Sequence, residues 1–233
     1  MNTTMTEATH RSPLLEIAVT LLIPSLILMQ LSGPQHLGAA SALVLALAFP
    51  VGWGLRELAR SGRFSLFAGL GIISLLLTGG IGLLELDARW LAVKEAAIPA
   101  VLGLIVAGSA LTPTPLVRLL LYTPMLLDTG KIDAALAARG NLAAFEARLR
   151  VATWMLAGSF AFSSAMNYAL ATWIVTSTAG SAAFNEELGR LTLLSYPMIA
   201  LPATLMLMGV FYYLALGVKR LAGLSLSDAL HGK

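Results

Sequence analysis

The chain has 233 residues, 58% of them hydrophobic and only 12% charged, with a formal net charge of +3, a pI near 9.4 and a mean hydropathy of +0.82. That balance is far from a water-soluble domain, and because the basic residues sit in short breaks between apolar runs they argue for membrane orientation and against nucleic acid. Cysteine is absent, which excludes disulfides, thiolate metal sites and a thiol nucleophile.

Apolar runs cover about 14–32, 37–56, 64–85, 90–111, 151–176 and 191–217, each near the ~20 residues a helix needs to cross the hydrocarbon. They lack the two-residue alternation of barrel strands, and a helix satisfies its own backbone in lipid. The expectation is an all-α polytopic membrane protein with six transmembrane helices, forming a single integral membrane domain over 1–233. The first run follows a polar segment ending in Arg11, as a signal peptide would. It is too long for one and no small-residue cleavage pattern follows, so it reads as an uncleaved helix. Ser12-Pro13 suits a cap and first helical position, with Glu16 favoured by the helix dipole.

Lysine and arginine set the orientation. One side collects Arg11, Arg56, Arg60, Arg63, Arg118, Lys131, Arg139, Arg148, Arg150, Lys219, Arg220 and Lys233. The other keeps Arg89 and Arg190, with Lys94 near a boundary. Both termini, the 56–63 loop and the 112–150 segment are therefore expected in the cytoplasm. Trp53 with the three arginines after it reads as an interfacial anchor in contact with anionic lipid.

Pro24, Pro99 and Pro202 fall within spans one, four and six, where each frees a carbonyl and allows a kink. Span three is glycine-rich, and span four opens on Trp90, an interfacial anchor, followed by Lys94 and Glu95. In 112–150, Thr112-Pro113-Thr114-Pro115 ends span four, and two short amphipathic helices are expected near 129–139 and 142–150, the second running into span five. Gly140 suits the stop and Asn141 the next N-cap. Ile132, Leu136 and Phe145 are expected to lie on the membrane surface. Asp128-Thr129-Gly130-Lys131 lacks the glycine spacing of a phosphate loop. In span five, Ala157, Ala161, Ala165 and Ala169 form a ridge for close helix packing first and for a homodimer face second. A short loop before span six carries Asn185, Glu186, Glu187 and Arg190.

The chemistry rests on polar residues at membrane depth. Lys94 and Glu95 share a level with Thr78, Gly79, Gly80 and Glu85 of span three, Asn167 of span five and Arg190 of the last loop. Together they would make a polar vestibule open to the periplasm, where glycines let a lipid headgroup or small solute approach the backbone. His10, His36 and His231 lack partners at metal-ligand spacing, and no serine has a histidine in reach, so no metal, cofactor or catalytic set is expected and the chain does not read as an enzyme.

Leu77-Thr78-Gly79-Gly80-Ile81-Gly82-Leu83, Trp90-Leu91-Ala92-Val93-Lys94 with Pro99, Pro115-Leu116-Val117-Arg118, Trp154 with Asn167, and Phe184-Asn185 follow one another in an order that resembles the intracellular septation protein A family. The order is also similar to that of related bacterial inner-membrane proteins often labelled as major-facilitator-type transporters. In the septation family the lysine is followed directly by proline and threonine, whereas here Glu95 follows Lys94. The resemblance implies a shared membrane architecture and a cell-envelope role. The expected function is a small inner-membrane transporter or lipid-handling protein. The alternative is a non-catalytic cell-envelope or septation-associated scaffold that docks cell-division or envelope proteins through 112–150.

Overall fold

The structure, a computed structural model, describes residues 13–61, 66–123 and 127–225, and over them it is all-α. Arg11, Ser12, Arg63, Lys233, His10 and His231 lie outside the described residues. In chain order the helices are α1 (Pro13–Ile17), α2 (Ile23–Leu31), α3 (Ala39–Ser61), α4 (Leu66–Leu83), α5 (Arg89–Ser109), α6 (Leu116–Leu120), α7 (Thr129–Ala138), α8 (Leu142–Ile174), α9 (Ala182–Ser195) and α10 (Leu201–Gly217). Wide π-turns at Ala18–Leu22 and Tyr196–Ala200 lead into α2 and α10, so each lies just ahead of a proline, Pro24 or Pro202. A proline lacks the amide hydrogen and crowds the carbonyl four residues earlier, and a widened turn relieves both conflicts while the helix continues.

Among the described residues three helical runs are long and apolar enough to cross a membrane: Ala39–Arg56, Arg89–Ser109 and Ala182–Ala222. Leu15–Leu31 and Gly69–Leu83 are shorter apolar helices. The long α8 does not join the three, since Ser159, Ser163, Ser164 and Asn167 dilute its apolar stretch. Large apolar side chains such as Leu104, Leu201 and Met208 stand exposed, as lipid contact requires and water would not favour. These features suggest a multi-pass membrane protein.

The chain forms two compact units, one of Met1–Lys94 with Leu170–Ser195 and one of Glu95–Ala169 with Tyr196–Lys233. In the first, α2 packs on α9 at Gly189, where an added Cβ would meet Met29 Cγ at 2.7 Å and Ser25 O at 2.9 Å. Asn185, 1% exposed, donates through Nδ2 to Ser32 Oγ at 3.0 Å and to Ala39 O at 2.7 Å. These residues were expected in a loop, but α9 begins at Ala182. Ser181 supplies the reason, because its Oγ accepts the Phe184 amide and caps the helix early. Glu187 is likewise helical, and its carboxylate accepts from the backbone amides and hydroxyls of Thr176 and Ser177, closing the turn that precedes α9.

In the second unit the apolar faces of the amphipathic helices, expected on the membrane surface, are turned onto protein instead. Ile132, Leu136, Phe145 and Leu149 are at most 2% exposed and pack with Val117, Tyr122, Leu214, Val218 and Ala222 in one apolar cluster. Helix α7 starts on the Asp128 side chain, which accepts from Lys131 N, and Gly140 turns the chain with φ +67°. Asn141 uses its Nδ2 to donate to Leu221 O at 2.9 Å. Arg148 donates through Nε and Nη2 to Tyr213 O at 2.9 and 2.8 Å, with its guanidinium 3.8 Å from the Tyr213 ring centroid. Gly217 makes room for it, as a Cβ there would collide with the Arg148 side chain. Leu221 lies in the last helical turn, where carbonyls lack internal partners, whereas Arg148 reaches the Tyr213 carbonyl more than two turns before that end.

Candidate functional site

Ser74 and Thr78 are four residues apart on α4 and so share a face. Lys94 stands on α5 about one turn beyond the exposed Trp90 and is half-buried. Its Nζ donates to Thr78 Oγ1 at 2.7 Å and to Ser74 Oγ at 3.2 Å, with Ser74 O at 3.5 Å. Thr78 Oγ1 in turn donates to Ser74 O at 3.0 Å. A two-helix pair within the first unit thus brings together Lys94, Thr78 and a residue the sequence reading missed, Ser74. The available signal was the Ser74/Thr78 spacing on an otherwise apolar helix. The hydroxyls hold the ammonium in place, and its positive charge is what an oxygen of an anionic or zwitterionic group would pair with.

The glycines of α4 divide by role. At Gly79 a Cβ would meet Leu47 Cδ1 at 2.8 Å, and at Gly82 it would run into Leu43 and touch Phe184, so both serve packing against neighbouring helices. Gly80 faces open space. Glu85 adopts φ 51° and its side chain lies against Gly180, where a Cβ would meet Glu85 Cγ at 2.7 Å. Arg190 pairs with Glu186 one turn away on α9, with both side chains well exposed. Glu95 and Asn167 belong to the second unit. Glu95 is half-buried there, and Asn167 Nδ2 donates to Ser163 O of its own helix at 2.8 Å.

Among the described residues no group of three or more His, Asp or Glu side chains is placed to hold a metal ion. A second polar cluster lies in the other unit: Arg118 pairs with Glu146, and Tyr122 donates to Asp133 Oδ1 at 2.9 Å. Burial, and after it the bond to Asp133, pushes the Tyr122 phenol above its ordinary range. These residues join α6, α7 and α8 and read as structural. No protein-family model, curated protein or solved structure matches the chain.

Proposed function

We propose that this chain is a multi-pass protein of a bacterial inner membrane, crossing it six times with both termini cytoplasmic. We further propose that it is a small transporter or lipid-handling protein acting through a periplasm-facing polar site at Lys94. The observation that carries the reading is the Lys94 ammonium held by Thr78 Oγ1 and Ser74 Oγ between two apolar helices. An ionisable residue within a spanning helix is a functional-site hypothesis by default. The resemblance to septation protein A and its relatives belongs to the same reading, an envelope protein of the inner membrane. The test is Lys94→Ala in reconstituted vesicles, with thermal shifts against a panel of phospholipid headgroups and small anionic or zwitterionic solutes. The variant should lose a response that the parent shows, and an unchanged response refutes the site.

The scaffold reading draws on 112–150, where the inward apolar face leaves Lys131, Ala134 and Arg139 exposed on a folded surface. In-membrane crosslinking from Ala134 should then capture a reproducible division or envelope protein, and Lys94→Ala should leave that capture intact.

A further inference from the structure

Within the second unit, α5 and α8 are held together at two places. At Gly103 an added Cβ would meet Phe160 Cβ at 3.0 Å, and Ser164 Oγ donates to Ala96 O at 2.9 Å. Beside these ties an open apolar groove of about 570 Å³ runs between the helices, floored by small residues including Ala100, Ala107, Gly158 and Ala161. Its bulky members, Leu104 and Trp154, are exposed. The volume falls within the ~300–1,000 Å³ of ligand clefts. From Trp154 to Ala165 the α8 wall runs about 16 Å, long enough for an extended hydrocarbon chain to lie along it.

The groove residues Trp154, Gly158, Ala161 and Ala165 follow one face of α8, and Arg150 continues that face one turn toward the helix N-terminus. Arg150 is exposed and makes no hydrogen bond or ion pair among the described residues. The geometry points to a seat for one phospholipid: an acyl chain in the α5/α8 groove and an anionic headgroup at Arg150. A hydrocarbon chain fits the groove, and small residues give it close van der Waals contact. Trp154 then stands at the interface and the cation meets the anionic cytoplasmic leaflet. The inference takes from the proposed topology the passage of α5 and α8 through the membrane and the cytoplasmic placement of residue 150, and it concerns a different place from Lys94.

The test uses the full chain in vesicles, with Trp53→Phe, Trp90→Phe and Trp173→Phe so that Trp154 alone reports. Quenching by phosphatidylglycerol with brominated acyl chains is compared with phosphatidylcholine carrying the same chains. The parent should favour the anionic lipid about fivefold, the effect of one basic side chain at a charged surface. Arg150→Gln should bring the ratio to about one. Gly158→Leu, whose Cβ has no atom within 4 Å, should fill the groove, lower quenching and remove the preference at unchanged helicity. Lys94→Ala should leave the ratio unchanged. A parent ratio near one overturns the proposal, as does a preference that survives both Arg150→Gln and Gly158→Leu. A crosslinked dimer that Gly158→Leu abolishes, without lipid preference in the parent, assigns the groove to a second copy and also overturns it.

Discussion

Leu136→Ala tests whether α7 and the start of α8 face protein or lipid. Leu136 is fully buried, and α6, α7, the start of α8 and the end of the last helix all bring side chains to its cluster. A buried leucine truncated to alanine costs about 2–5 kcal/mol, toward the middle of that range where several elements limit collapse. Taking about 3 kcal/mol, and with 129–150 opening as one unit, its amide hydrogen exchange in detergent micelles should accelerate by about 150-fold. Leu142→Ala is the control: Leu142 is 45% exposed, so its truncation should change stability by only about 0.5 kcal/mol and exchange by about twofold. If Leu136→Ala also stays within about twofold, the side chain faces a mobile medium and the packing argument fails.

Asn185→Ala should lower stability in detergent by about 1 kcal/mol, since two hydrogen bonds between helices in a membrane protein average about 0.6 kcal/mol each. Asn185→Asp should cost more, because a carboxylate has no hydrogen to offer Ala39 O and Ser32 Oγ. Equal melting temperatures for the two variants would contradict the assigned bonds. Tyr122→Phe should change the alkaline limb of stability. The folded phenol is pushed above its unfolded value of about 10, so its contribution is complete below about pH 10 and is lost as the pH rises beyond it. Parent stability should therefore fall more steeply between about pH 10 and 11.5 than that of Tyr122→Phe. Parallel slopes would refute the burial and Asp133 bond as the cause.

What was legible in the chain itself was whatever depends on local length and period. Helical class, three of the apolar runs of spanning length, the Gly140 turn, the start of α7 near residue 129 and the small-residue faces of α4 and α8 all follow from neighbours within a few turns. The polar site was legible in part: Lys94 and Thr78 stood out as polar groups on apolar helices, but nothing local joined them to Ser74. An amphipathic face says only that something apolar covers it, so Ile132, Leu136 and Phe145 could equally have met lipid; the tertiary structure covers them with Val117 and Val218. Likewise only packing distinguishes Gly79 and Gly82, pressed by leucines, from the open Gly80. Asn185 and Arg148 were visible as polar residues, yet their partners Ala39 and Tyr213 lie 146 and 65 positions away. Hydrophobic thickness is written along the chain, whereas which buried donor meets which freed carbonyl is decided when distant helices come together.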